Sequence, residues 1–148
     1  MAIIEAINIT SKSDQETFYV KQAYLEKNKG IVNDRYYGNF KTKKEQVTLI
    51  DIEEIDSFNS SIGADIDYKD FRRNIIISGL KICEMIGERI KINDSILKIH
   101  EICQPCNYLQ KKLNSPKLVK KLINKSGVRA EILSSGYIEV GSKIIKIK

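Results

Sequence analysis

The sequence is poor in the residues that small secreted proteins and zinc modules depend on. Its 148 residues include three cysteines, one histidine and no tryptophan. The cysteines, at positions 83, 103 and 106, are too few and too clustered for a disulfide framework. The chain begins Met-Ala-Ile-Ile, without the basic and long apolar segments of a secretory leader. We therefore expect a reduced, cytoplasmic protein.

Long apolar runs and aromatic-rich basic stripes are missing as well. The longest apolar run is far shorter than the roughly 18 residues of a membrane-spanning helix, so we expect no membrane span. The formal net charge of +6 admits a phosphorylated or polyanionic partner. The lysines, however, are spread along the chain without interleaved aromatic residues, a pattern that does not favour nucleic-acid binding.

The length and the spacing of the apolar segments predict one β-rich domain over residues 1–148. A chain of this size can bury roughly two thirds of the surface that its unfolded form exposes, so it needs no covalent staples. Many short β-branched segments, separated by turns that contain glycine, favour a closed β-barrel-like fold with a few short helices at its rim. The predicted strands cover residues 2–9, 18–25, 46–50, 71–78, 89–92, 96–102, 128–133, 137–140 and 144–147.

Short helices are predicted between these strands. Asp51 followed by Glu54 has the pattern of a capping box. Gly87 and Gly127 suit the positions that follow a helix end. The predicted helices cover residues 52–58, 80–86, 107–113 and 117–124.

The sharpest chemical signal is Cys103-Gln-Pro-Cys106, which lies between a predicted strand and a predicted helix. Cysteine acts as a nucleophile or metal ligand in its thiolate form, and a helix N-terminus stabilises that anion. Cys106 directly precedes the predicted helix, and Pro105 removes a competing amide donor. We therefore favour Cys106, ahead of Cys103, as a working thiolate. Cys83 lies on the apolar phase of its helix and suits a buried structural role.

Two other interpretations of the paired cysteines have less support. A thioredoxin-type exchange pair usually follows a β-α-β pattern, which is missing here. A structural zinc site takes four ligands, whereas His100, Cys103 and Cys106 leave only Cys83 elsewhere in the chain. We expect His100 to be a strand residue with a satisfied side chain.

Three arginines are candidates for binding an anion. Arg35 lies in the loop Gly30–Gly38, and Arg72 and Arg73 open a predicted strand. The rigid guanidinium fork binds phosphate through two hydrogen bonds, so arginines at one rim suit a phosphorylated ligand. Adjacent strand residues face opposite ways, so one of the tandem pair is expected to be structural. The alternative for all three is ion pairing with the acids Asp34, Asp51, Glu53 and Glu54.

Taken in order, these motifs resemble those of the MOSC domain family, named for the C-terminal part of molybdenum cofactor sulfurases. Two positions depart from the family pattern: Asn33, where relatives usually have glycine, and Ser142, where many have aspartate. The matching stretches span nearly the whole chain and are Gly30–Arg35, Val47–Glu54, Arg72–Gly79, Cys103–Leu109 and Gly136–Gly141.

The resemblance implies a closed-barrel-like fold and a cysteine, here Cys106, that carries sulfur as a persulfide or ligates molybdenum in a pterin cofactor (molybdopterin). Both roles suit a soft thiolate. Cys103 is then its neighbour or a second sulfur acceptor. The cofactor-binding residues that the resemblance implies are Arg35, Arg72, Arg73 and Asn74.

Three functions remain open on the sequence. The first is a module that binds the pterin cofactor, or exchanges sulfur with a donor or acceptor protein, or both. The second is a molybdenum-dependent reductase of N-hydroxylated compounds. It needs an external reductase as electron donor, because the sequence has no recognisable flavin, haem or iron–sulfur motif. The third is a non-catalytic basic interaction module with structural thiols.

Overall fold

A computed structural model describes residues 1–10, 17–104, 110–111 and 118–148. Within these ranges the chain is β-rich with a few short helices, as predicted. The strands are β1 (Ile3–Ile9), β2 (Phe18–Val20), β3 (Gln22–Glu26), β4 (Gly30–Ile31), β5 (Val47–Asp51), β6 (Ile75–Ser78), β7 (Arg89–Ile92), β8 (Ser95–Ile102), β9 (Val128–Ser134), β10 (Gly136–Glu139) and β11 (Ile144–Ile147). The α-helices are α1 (Ile52–Ile62) and α2 (Leu118–Leu122), and 3-10 turns cover Lys43–Glu45, Tyr68–Phe71 and Ile82–Glu84.

The strands form two sheets. The larger has the order β11-β7-β8-β9-β5-β6-β1-β2, and the smaller has the order β10-β3-β4. Neighbouring strands are antiparallel except β5 and β6, which run parallel. In the described ranges, no helix is long and apolar enough to cross a membrane.

Neither sheet is closed into a barrel within the described residues, which corrects the prediction of a closed barrel. The two ends of the large sheet meet at an isolated bridge between Ile3 and Lys143, just before β11. The pairing between β1 and the segment before β11 stops at this bridge because the same edge of β1 also pairs with β2. Its last residues, Ile7 to Ile9, pair with β2, so only its beginning is left for the opposite edge of the sheet.

The apolar residues form two clusters, one on each face of the central strands. Ile75 and Ile77 of β6 belong to the larger cluster, and Ile76 belongs to the smaller one beneath α1. All three are fully buried. In the smaller cluster the rings of Phe58 and Phe71 meet edge to face, with centroids 5.9 Å apart. Strands β5 and β6 are therefore covered on both sides, as continuous apolar runs in a parallel pair usually are.

Two element predictions were wrong in detail, and a third is not tested. The strand predicted over 18–25 is broken at Lys21, and its halves, β2 and β3, belong to different sheets. The strand predicted from residue 71 begins only at Ile75, because Phe71 ends a 3-10 turn and Arg72 has a φ of +60°. The helix predicted over 107–113 lies mostly outside the described residues.

The predicted capping box at the start of α1 was also wrong. The helix begins after Asp51, as expected, but the Asp51 side chain makes no capping hydrogen bond. In this region Glu53 is the acid that accepts a backbone hydrogen bond, from the Gly79 amide at 2.9 Å. The Asp51 side chain therefore does not serve as the helix cap.

Gly127 connects α2 to β9 at a point of close backbone contact. Its φ is +98°, and a Cβ atom there would lie 2.3 Å from the carbonyl oxygen of Leu49 in β5. The Gly127 carbonyl accepts a hydrogen bond from the Cys103 amide at 2.8 Å. The absence of a side chain at Gly127 therefore lets β5 approach the backbone that holds Cys103.

We predict that Gly127→Ala lowers the free energy of unfolding by roughly 2 to 5 kcal/mol, because backbone strain adds to the overlap with Leu49. Gly63→Ala is the matched control, since Gly63 has a φ of +64° but open space around it. That substitution should cost only about 1 to 2 kcal/mol. Urea unfolding followed by circular dichroism measures both values, and equal losses would contradict the predicted overlap.

Candidate functional site

The candidate site lies at one end of the large sheet, where β5 and β8 end and β9 begins. Leu49 of β5 and Ile102 of β8 both pair with Val128 of β9, one on each side. This register brings Asp51, the last residue of β5, to the same end of the sheet as Cys103, the residue after β8. Strand pairing therefore places a carboxyl group and the first of the paired cysteines at one edge.

Arg73 holds the backbone of the cysteine segment. Its Nε donates to the carbonyl oxygen of Ser126 at 2.7 Å, and its Nη2 donates to the carbonyl oxygen of Cys103 at 3.2 Å. The Ser126 hydroxyl also donates to the Cys103 carbonyl. With the Gly127 carbonyl accepting from the Cys103 amide, Cys103 is fixed on both sides of its Cα atom. Charge-assisted donors of this kind bind more strongly than neutral ones.

Cys103 is buried, with 6% of its surface exposed. The guanidinium of Arg129 lies close enough to interact with it. Burial lowers the pKa of Arg129, but the negative charge of a Cys103 thiolate, together with Glu101, more than offsets this and raises that pKa overall. The Nη1 of Arg129 lies 3.4 Å from the Glu101 carboxylate. Cys103 therefore has a cationic neighbour in Arg129. Cys106 lies outside the described residues.

Cys83 has a different environment. It is half-buried and packs against the larger apolar cluster. Burial raises the pKa of Cys83 to about 11, and the nearby charges of Asp51 and Glu54 add to this, although a hydrogen bond from the Gly127 amide opposes it. Cys83 therefore stays a protonated thiol at neutral pH, in keeping with its predicted structural role.

Asp51 is a candidate site residue that the sequence indicated as a helix cap or as an ion-pair partner of an arginine. It is 2% exposed, and its Oδ1 has no hydrogen-bond partner among the described residues. Burial raises the pKa of Asp51 to about 6, and the neighbouring charges of Glu54 and Glu53 raise it further. A buried carboxyl group near Cys83 can therefore bind and release a proton close to neutral pH. The signal in the sequence was an acid that ends the otherwise buried strand β5.

Arg35 and Arg72 do not share the contacts of Arg73. The Arg35 amide donates to the Thr10 carbonyl at 2.6 Å, and its guanidinium carbon lies 4.6 Å from the centre of the Tyr36 ring, a cation–π arrangement. Arg72 is buried in a left-handed conformation. Arg72 and Arg73 both precede β6, so the strand placement on which the expectation of one structural arginine was based was wrong.

Asn74 connects three parts of the fold. Its Oδ1 accepts from the amide and the hydroxyl of Thr48 at 3.0 and 3.1 Å, and its Nδ2 donates to the Asn8 carbonyl at 3.3 Å. A further hydrogen bond joins Asn74 to Asp34, next to Arg35. Asp34 in turn accepts from the Thr10 amide at 3.0 Å. The Arg35 loop is thereby tied to the turn that carries Arg73, while cofactor binding by Asn74 stays a prediction.

The expectation for His100 is confirmed. Its Nε2 lies 2.8 Å from Oε1 of Glu131, across the β8–β9 pair. The single histidine of the chain is thus satisfied within the sheet.

We predict that Arg73→Gln lowers the free energy of unfolding by about 2 to 3 kcal/mol, because two buried carbonyls lose a charged donor. With Cys83 and Cys106 replaced by serine, Cys103 should also react faster with a disulfide reagent. Arg89→Gln is the control, since Arg89 is exposed on β7. Unchanged stability and unchanged Cys103 reactivity would show that Arg73 does not hold this segment.

A second prediction concerns pH. Because the pKa of Asp51 is raised to about 6, the folded protein keeps a proton that the unfolded chain releases near pH 4. The ionised carboxylate therefore destabilises the fold, and this effect is absent below about pH 4 and complete above about pH 6. Asp51→Asn should gain stability over the wild type as the pH rises through this range, by about 1 to 2 kcal/mol after solvent screening.

Chemical denaturation at a series of pH values measures this difference. Asp94→Asn, at an exposed turn between β7 and β8, is the control that removes one carboxyl group elsewhere on the protein. A pH-independent difference for Asp51→Asn would contradict the raised pKa.

Comparison with known structures supports the fold. The YuaD protein from Bacillus subtilis is 19% identical, with a TM-score of 0.84 over 97% of this chain and 94% of that one. YiiM from Geobacillus stearothermophilus is 18% identical, with a TM-score of 0.82 over 100% of this chain and 76% of that one. YiiM from Escherichia coli is 12% identical, with a TM-score of 0.76 over 99% and 70%. At these identities the likeness concerns the fold alone.

A family model identifies the chain more directly. A search of curated proteins finds no match. The model of the MOSC domain, however, matches residues 34–145, which include β5 to β10, the Arg73 contacts and the paired cysteines. The resemblance proposed from the ordered motifs is thereby confirmed, and the chain belongs to the MOSC domain family.

Proposed function

We propose that this protein binds a molybdopterin-type cofactor and uses Cys106 either as a ligand of the metal or as a carrier of sulfur. The MOSC family is associated with the molybdenum cofactor. The observation that carries the proposal is the pair of hydrogen bonds from Arg73 to the Ser126 and Cys103 carbonyls. They hold the start of the paired-cysteine segment at the same end of the sheet as the buried Asp51.

The residues at this edge fit such a cofactor chemically. A thiolate is a soft ligand that suits molybdenum and sulfur alike, and the cation Arg129 interacts electrostatically with Cys103 in this segment. The Oδ1 of Asp51, which has no hydrogen-bond partner among the described residues, is a buried acceptor that a bound group could satisfy. When bound, the cofactor would supply the metal centre. We keep Arg35, Arg72, Arg73 and Asn74 as its proposed binding residues.

The contacts distinguish the proposed roles of these side chains. Arg73 uses its Nε and one Nη2 hydrogen on backbone carbonyls, so we assign it to shaping the pocket and positioning the cysteines. Cys83 remains a thiol, which leaves thiolate chemistry to the segment 103–106. Asp51 is placed to accept or return a proton within this edge.

In the sulfur-carrying role, the Cys106 thiolate attacks the outer sulfur of a persulfide on a donor protein. A sulfur–sulfur bond forms on Cys106 as the one on the donor breaks, and the donor cysteine leaves as a thiolate. No net oxidation occurs, so the exchange needs no electron acceptor. A sulfur donor or acceptor protein is therefore the partner that this role proposes.

The test is to express the protein in a host that makes the cofactor and to measure three quantities. These are bound molybdenum, pterin fluorescence after oxidation, and cyanide-releasable sulfur. If Cys106 ligates the metal, Cys106→Ser should lose at least nine tenths of the molybdenum, because the soft ligand is gone. Cys83→Ser is the control and should keep it. Cys103→Ser shows whether the neighbouring thiol shares the role.

Each outcome separates the functions. Releasable sulfur without metal, lost in Cys106→Ser, supports the carrier. Molybdenum together with reduction of an N-hydroxylated base, when an external reductase is added, supports the reductase. Wild-type protein with no metal, pterin or releasable sulfur would refute the cysteine proposal and favour the basic interaction module.

A further inference from the structure

A cleft of about 520 Å³ lies between α1 and α2. Three lysines from α2 and the turn after it, Lys120, Lys121 and Lys125, line one wall. The side chains of Phe58 and Leu122 belong to the lining, although each is at least 97% buried in the smaller apolar cluster. The cleft therefore combines a rigid apolar base with a basic wall.

The charge of this cleft is positive. Among the described residues, its ionisable lining residues are the three lysines and one acid, Glu54, for a net charge of 3 − 1 = +2. In the described part of the chain, no carboxylate lies within ion-pairing distance of any of the three lysines. The opposite wall, on α1, adds the hydroxyls of Ser57 and Ser61. Lysine ammonium groups near hydroxyls are typical partners of phosphate oxygens.

The cleft is coupled to the cysteine segment through backbone and side-chain hydrogen bonds. Gln104, next to Cys103, accepts from the Asn124 amide at 2.8 Å and donates from its Nε2 to the Asn124 Oδ1 at 2.6 Å. Lys125 is the residue that follows Asn124. The hydrogen bonds between Gln104 and Asn124 therefore connect the basic wall to the residue next to Cys103.

We propose that the cleft between α1 and α2 binds the phosphate of a small phosphorylated ligand, with Lys120, Lys121 and Lys125 as its electrostatic partners. Its volume falls in the range of small-molecule sites, roughly 300 to 1,000 Å³, and its concave shape favours a compact ligand over a protein surface. Phosphate binding here stands by itself. The identification of that phosphate with the phosphate end of a pterin cofactor rests on the proposed function.

In this proposal, lysines bind the phosphate and an arginine holds the backbone near Cys103. The sequence analysis expected arginines to hold the phosphate, whereas Arg73 is engaged with the Ser126 and Cys103 carbonyls. The lysines supply charge at the neighbouring cleft. A ligand with a phosphate at one end and a sulfur-rich group at the other would span from α2 towards Cys103.

The test uses inorganic pyrophosphate as the probe and titration calorimetry as the measurement. We expect the wild type to bind it, and each single lysine-to-glutamine change to weaken binding about fivefold, the effect of roughly 1 kcal/mol. The triple variant Lys120→Gln/Lys121→Gln/Lys125→Gln should lose more than tenfold. Raising the salt from about 0.01 to 1 M should weaken wild-type binding strongly because screening increases.

The matched control is Lys41→Gln/Lys43→Gln/Lys44→Gln, which removes the same charge from exposed positions at and beside the 3-10 turn Lys43–Glu45. It should bind like the wild type. The variant with arginine at positions 120, 121 and 125 should also retain binding, and circular dichroism verifies folding. Equal weakening in the control would reduce the effect to net charge and overturn the proposal, as would wild-type protein that does not bind the probe.

Two further arms separate this inference from the proposed function. Cys106→Ser should bind pyrophosphate like the wild type. Failure of the molybdenum assay would therefore contradict the proposed function without contradicting phosphate binding in the cleft. Wild-type molybdenum and pterin contents in the triple lysine-to-glutamine variant would show that the cofactor phosphate binds elsewhere. Lysine-dependent binding of a polyglutamate peptide without pyrophosphate binding would overturn the small-ligand proposal in favour of an acidic protein.

Discussion

The structure of the candidate site depends on one side chain that binds backbone. Arg73 donates to the Ser126 and Cys103 carbonyls, which belong to the segments before β9 and after β8. Ordering such connections costs roughly 1 to 2 kcal/mol of backbone entropy per residue. A charged donor shared between two carbonyls offsets part of that cost, and the tight contact at Gly127 leaves little room for alternatives. The cysteine segment thereby starts from a defined point at the sheet edge.

Much of the fold could be predicted from the sequence because apolar residues mark the strands directly. The bounds predicted for β7 and β11 match the structure, those for β1, β8 and β9 differ by one residue at one end, and β5 is shifted by one residue. The predictions of sheet membership and barrel closure failed because these depend on which strands pair, which the periodicity of apolar residues does not show. Nothing in the alternation of residues 18–25 shows that β2 joins the large sheet while β3 joins the small one. Barrel closure depends in the same way on which strand occupies the outer side of β1.

The chemistry of the site could be predicted in kind but not in arrangement. Paired cysteines and nearby arginines indicated a soft ligand and an anion, and the ordered motifs identified the family. The partners of Arg73, however, are carbonyl groups, which every residue carries and which no sequence motif marks. Asp51 was interpreted as a cap because it precedes a helix, whereas the packing of β5 buries it. Burial of an acid depends on the second layer of the fold, which residue spacing does not encode.

The paired hydrogen bonds between Gln104 and Asn124 make α2 and the cysteine segment thermodynamically linked. A ligand that stabilises the end of α2 also stabilises the residue next to Cys103. A group bound at the cysteines stabilises α2 in the same way. Such coupling is reciprocal and is typically about 1 to 3 kcal/mol between linked sites. Occupation of one side of this connection is therefore a means of setting the affinity of the other, without a change of fold.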